Sequence, residues 1–64
     1  MRKYKRSFRE ERLEEIQRII REKASVMVSD LAKQFHISES TVRLDLAKLE
    51  AENLITRTHG GAVI

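Results

Sequence analysis

Three residues, His36-Ile37-Ser38, separate two helical patterns in this chain of 64 residues, and that interval limits the fold more than any other feature. Before it, VSDLAKQF places Val28, Leu31 and Phe35 on one face of a short helix. After it, ESTVRLDLAKLEAEN places Val42, Leu46, Leu49 and Asn53 on one side of a longer helix, the first three facing a core. A connection this short makes the two helices cross closely and at a steep angle. Ala32 supplies a small side chain for that approach, and Phe35, Ile37 and Val42 form an apolar wedge around the turn. His36 falls just past the shorter helix, where left-handed backbone is expected and histidine tolerates it better than most non-glycine residues. Ser38 is a strong N-cap for the longer helix, with Glu39 favourable beside its positive end.

The flanking segments complete the architecture. In REERLEEIQRIIREKA, Leu13, Ile16, Ile20 and Ala24 recur along one helical stripe. Ser7 and Glu10 have the spacing of a capping box, although a start nearer Arg9 also fits. Ser25-Val26-Met27 breaks the pattern and reads as a short extended piece. Met27 is a poor cap for the next helix, and Asp30 in its first turn partly compensates. Beyond Leu49, an extended run begins at Leu54-Ile55 and continues through TRTH; Gly60-Gly61 turns it before Ala62-Val63-Ile64. The expected fold is mainly α with a small β-hairpin: a winged helix-turn-helix of three helices plus a wing.

The chain has no proline, and its two glycines are adjacent at 60 and 61. A phosphate-cradling loop would need a helix after them, and none follows. A linker would not resume at once with apolar residues, so the pair reads as the tip of the wing. Val63-Ile64 then reads as a returning strand cut close to the end of the domain, so the chain is expected to be part of a longer protein.

Charge divides unevenly. Residues 1–12 hold six basic side chains against Glu10 and Glu11, a net of +4, while residues 13–64 hold seven basic and eight acidic, a net of −1. Residues 1–7 therefore read as a basic arm, and 8–64 as a nearly neutral body. Such an arm suits a polyanion such as nucleic acid, with a solvated, frayed terminus as the alternative. It leads into no apolar run, so it is not a secretory signal, and no stretch approaches the ~20 apolar residues of a membrane span. With no cysteine, disulfides and thiolate metal sites are excluded, and a reducing compartment is expected. His36 and His59 are the only histidines, with no nucleophile–base constellation around them, so neither an enzyme nor a cofactor site is expected.

What the third helix turns outward bears on function. Ser40, Leu44, Ala47 and Ala51 point away from the apolar stripe, flanked by Arg43, Thr41 and Lys48. A face entering a major groove needs small side chains for close approach and a few donors for bases and phosphates. Ser38, Ser40 and Thr41 can donate to phosphate or base edges, although capping alone accounts for Ser38. Arg43 suits a guanine or a phosphate, or else an intrahelical ion pair. Leu44 suits a thymine methyl or a protein interface, or is a surface leucine. Lys48 suits a phosphate or solvent. On the wing, Arg57 suits a phosphate or the minor groove, or else solvent; His59 and Gly60 are further DNA-contact candidates, although His59 suits ordering the turn better than reading a base. Asp45 would repel phosphate; it reads instead as an internal brace paired with a cation of the first helix.

ISESTVRLDLAKLE followed by LITRTHGGAV resembles the DNA-binding domain of DeoR-family bacterial transcriptional repressors. The matching frame comprises Arg12, Ile16, Ile20, Ser38, Thr41-Val42-Arg43, Asp45-Leu46, Leu49 and His59-Gly60-Gly61-Ala62. The resemblance implies a third helix in the major groove of double-stranded DNA and a wing on the backbone or minor groove. It also implies a cytoplasmic, nucleoid-associated homo-oligomer that represses genes of carbohydrate use. In that family a C-terminal domain, absent here, binds a phosphorylated sugar. Two positions depart from the pattern: Leu44 stands where a basic residue is usual, and His36 where glycine is frequent. The competing expectation is a winged-helix protein-interaction module without DNA binding.

Overall fold

The computed structural model describes residues 7–64, so the basic run at positions 1–6 lies outside the described residues. Its elements run α1 (Phe8–Lys23), β1 (Ser25–Met27), α2 (Val28–Phe35), α3 (Glu39–Ala51), β2 (Thr56–Thr58) and β3 (Gly61–Val63). This is a winged helix-turn-helix: three helices and a small antiparallel sheet.

α1 starts where its capping box predicts. Ser7 Oγ accepts from Glu10 N–H at 3.0 Å, and Glu10 Oε1 accepts from Ser7 N–H at 2.9 Å, so Ser7 is part of the helical cap. Leu13, Ile16, Ile19 and Ile20 form the buried face of α1. Ala24 does not extend that stripe. It is exposed and left-handed at φ 71°, donating its N–H to Ile20 O at 2.7 Å to close the helix. Ile19, which the sequence stripe omitted, is buried instead.

The turn between α2 and α3 is as the spacing predicts. His36 is left-handed at φ 57° and ψ 45°, and Ile37 N–H returns to Ala32 O at 3.1 Å. α3 ends at Ala51, earlier than its sequence pattern suggests. Asn53 leaves the helix at φ 61°, while Leu54 N–H closes back on Leu49 O at 3.0 Å. Asn53 therefore does not share the Val42–Leu46–Leu49 face; asparagine is serving the left-handed turn it tolerates well. The strand then starts at Thr56 instead of Leu54, and Ile55 drops into the core.

The expected hairpin is two-thirds of a sheet. β3 lies between β2 and β1 in antiparallel pairing, with Ala62 opposite both Val26 and Arg57. The loop of the wing is His59-Gly60, and Gly61 belongs to β3, so the two glycines do not form the turn together as the sequence suggested. Gly60 has φ 84°, the left-handed geometry that a type II turn demands at its second loop position. Gly61 is required by packing. A Cβ there would sit 2.1 Å from Val26 O, so only glycine lets β3 approach β1. The wing loop also serves α2. Met27 provides no side-chain cap, and the orphan N–H of Val28 donates to Gly60 O at 2.9 Å.

The core gathers Leu13, Ile16, Ile19, Ile20, Val28, Leu31, Val42, Leu46, Leu49, Ile55 and Ala62, with Phe35 and Ile37 packed against it. Within it Asp45 is 1% exposed. The expected cation is Arg12: its Nε donates to Oδ2 at 2.5 Å and its Nη2 to Oδ1 at 3.1 Å. Arg9 Nε reaches Oδ1 at 3.4 Å. The hydrogen bond to Asp45 raises the Arg12 guanidinium above its ordinary value, outweighing partial burial. Among the described residues no buried side-chain N or O atom lacks a partner.

Two sets of variants test these contacts by chemical denaturation. Gly60→Ala should cost about 1–2 kcal/mol, the left-handed backbone penalty. Gly61→Ala should cost at least about 3 kcal/mol, because β1 and β3 must part. Equal losses at the two positions would contradict the packing role of Gly61. Arg12→Ala leaves the buried carboxylate only the longer Arg9 contact and should cost about 3 kcal/mol, whereas replacing both partners, Arg12→Met with Asp45→Leu, should recover most of that loss.

Candidate nucleic-acid interface

α3 divides its residues between two environments. Val42, Asp45, Leu46 and Leu49 are buried, which turns Ser40, Arg43 and Leu44 outward. Leu44 is 66% exposed, a branched apolar side chain with no place in the core. At the helix start Ser38 Oγ accepts from Thr41 N–H at 3.1 Å and lies 3.0 Å from Thr41 Oγ1. Ser38 is thus committed to capping, and the hydroxyl of the half-buried Thr41 is held beside it. Ser40 stands exposed one position before Thr41.

The wing meets this face along a groove of about 310 Å³ between α3 and the sheet. Arg43, Leu46 and Glu50 line it from α3, and Arg57, Thr58 and Gly60 from the wing. The fold thereby brings Arg43, Arg57 and Gly60 together from positions far apart in sequence. His59 is exposed beside Gly60 in the wing loop. Lys48 lies elsewhere: it lines a separate groove between α3 and α1, with Glu10, Gln17 and Leu49. Of the three cations proposed from sequence, two share the groove beside the wing.

Each of these cations holds a carboxylate. Arg43 Nη2 donates to Glu39 Oε1 at 3.1 Å, and Lys48 Nζ to Glu52 Oε2 at 2.9 Å. Both pairs have the i, i+4 spacing of neighbours on a helix surface, so they were legible in the sequence once the helix was placed. Arg57 Nε donates to Glu50 Oε1 at 3.2 Å, and Arg57 backbone N–H donates to Oε2 at 3.0 Å. That pair spans the turn after α3 and has no periodic signature. The backbone N–H of Arg57, followed by its guanidinium, holds the Glu50 carboxyl below its usual range despite some desolvation.

Chemically the arrangement offers two paired cations in the groove, Arg43 and Arg57, beside an outward helix face that carries the Ser40 hydroxyl and the Leu44 methyl groups. Among the described residues no group of three or more His, Cys, Asp or Glu side chains could hold a metal ion. No helix among them is long and apolar enough to cross a membrane.

A family model described as the DeoR-like helix-turn-helix domain matches residues 12–64. A lactose phosphotransferase system repressor of Streptococcus mutans is 43% identical over 54 residues, covering 84% of this chain and 22% of that protein. An HTH-type transcriptional regulator of Bacillus subtilis is 45% identical over 53 residues, covering 83% and 20%. A lactose phosphotransferase system repressor of Staphylococcus epidermidis is 38% identical over 52 residues, covering 81% and 21%. The chain thus spans about a fifth of the length of these relatives. No solved structure matches it.

Proposed function

The chain belongs to the DeoR-like helix-turn-helix family, and on that premise we propose that it is the double-stranded-DNA-reading domain of a repressor of carbohydrate-metabolism genes. The observation that carries the reading is the groove in which α3 and the wing present Arg43 and Arg57 together, beside an outward face with Ser40 and Leu44. A helix of this size fits a major groove, and the wing then lies against the flanking backbone or minor groove. Arg43 and Arg57 are the principal contacts. Ser40 and Thr41 serve the helix start, Ser38 fixes it by capping, and His59 and Gly60 set the wing loop. Lys48 takes a peripheral phosphate, and the arm at 1–7 adds charge.

For the whole regulator, two relatives named as lactose phosphotransferase system repressors favour a sugar-linked operon. The resemblance extends this to a homo-oligomer in the bacterial cytoplasm whose separate C-terminal domain answers to a phosphorylated sugar. Binding, and not catalysis, is the proposed role of residues 8–64.

Selection from a random duplex library, followed by anisotropy titrations over a range of salt, tests the reading. Affinity for the selected duplex should fall as salt rises, with a logarithmic slope of about −0.9 for each phosphate neutralised. Flat salt dependence, or no duplex binding at low salt, would defeat it. Arg43→Ala should cost about 1–3 kcal/mol and relax preference at one base pair; equal loss on every sequence would assign Arg43 to phosphate. Leu44→Lys should raise affinity for unrelated duplexes. No change in affinity or base preference would remove position 44 from the DNA interface and favour the protein-interaction alternative.

A further inference from the structure

Glu50 stands in the groove that is proposed to receive DNA, where a carboxylate opposes phosphate binding. Its two oxygens have different partners: one accepts the Arg57 guanidinium at 3.2 Å, the other the Arg57 backbone N–H at 3.0 Å. β2 is an edge strand, and Arg57 lies opposite Ala62 of β3. The Arg57 N–H turned to Glu50 is therefore a free edge donor, and Glu50 ties that edge to α3. Both side chains remain about two-fifths exposed, at 43% and 41%, so the ion pair adds little to stability. Its geometry matters more: the one carboxylate oxygen that accepts Arg57 Nε stands where a phosphate oxygen could accept the same donor.

We propose that Glu50 is a specificity-setting positioning residue that stands in for a DNA phosphate, holding the wing against α3 while competing for the Arg57 guanidinium. The inference rests on the DNA-binding reading. On an unrelated duplex the exchange of one anion for another gains little, and Arg57 stays with Glu50. On the cognate duplex, base contacts from α3 fix the wing beside the backbone, and Arg57 is passed to a phosphate. Throughout, the second carboxylate oxygen keeps the backbone N–H, so the strand does not move when the guanidinium leaves. Arg43 is held similarly by Glu39 through one ion pair, but there no backbone donor is engaged.

Glu50→Gln separates the two roles, since the amide oxygen can still accept the backbone N–H but carries no charge. On a random duplex its affinity should rise about tenfold at 50 mM salt, and its salt slope should steepen by about 0.9, the signature of one added phosphate contact. The ratio of cognate to random affinity should fall. Adding Arg57→Gln to that variant should abolish the gain. In the otherwise unaltered chain, Arg57→Gln should leave the random-duplex slope nearly unchanged while weakening cognate binding, and this holds the proposal to account even if Glu50→Gln fails to fold. Random-duplex binding by Glu50→Gln that matches the unaltered chain in strength and slope would overturn the proposal alone. So would a random-duplex slope shallower by about 0.9 in the Arg57→Gln chain. Absence of duplex binding by the unaltered chain would overturn the underlying DNA reading as well.

Discussion

The ion pair between Arg12 and Asp45 sets the direction in which α3 faces, and the proposed reading surface depends on that direction. Val42, Leu46 and Leu49 secure α3 to the core, but apolar contact is non-directional and tolerates rotation about the helix axis. Each residue of an α-helix advances the face by 100°, so a rotation of about that size would carry Arg43 toward the core and turn Val42 out of it. A carboxylate at 1% exposure with both oxygens engaged by one guanidinium has no such latitude. Burying that charge is costly, and the return is orientation more than net stability. It follows that position 45 belongs to the mechanism without touching the outward face.

A similar division of labour joins the wing to the helices. Beside the pairing of β3 with β1, three contacts from the wing tip and outer strand tie it down: Gly61 against the Val26 carbonyl, Val28 N–H on the Gly60 carbonyl, and Arg57 N–H on Glu50. They reach β1, the start of α2 and the last turns of α3. The wing is therefore no appendage to the helix-turn-helix. Its loop caps α2, and its outer strand is tied to α3, so the elements proposed to meet major groove and backbone share a single frame. In a domain this small, with a short sheet and a limited core, such polar ties give the rigidity that additional apolar area would supply in a larger one.

The parts legible in the sequence are those governed by local rules. The capping box of Ser7 and Glu10, the Ser38 cap, the left-handed His36 and the helix-turn-helix spacing all act within a few residues. Asp45 was legible too, because a carboxylate beside an apolar stripe must find a cation. What stayed hidden depends on contacts between distant segments. Nothing in Ser25-Val26-Met27 reveals that β1 will pair with β3, and so nothing distinguishes the reason for Gly61 from that for Gly60. Pattern continuation also failed at helix ends: Ala24 and Asn53 fit the periodicity, but each takes a left-handed turn that ends its helix. Glu50 was missed because its partner lies seven residues on, past a turn whose geometry no periodicity encodes.

The outward side of α3 is unusual in having little charge of its own to attract DNA. Leu44, Ala47 and Ala51 are apolar, Arg43 and Lys48 are matched by Glu39 and Glu52, and Arg57 beside them by Glu50. A surface that bound DNA mainly by its field would leave such cations unpaired, and its affinity would be nearly indifferent to sequence. Here each cation must give up a protein carboxylate before it can hold a phosphate, so electrostatic gain is small until shape and base contacts fix the register. Close approach is correspondingly easy, because alanines and a serine leave room where long side chains would stand. In the proposed interface, neutral pairing and small side chains thus serve the same end: attraction is deferred to short range, where base edges and the Leu44 side chain would discriminate between sequences.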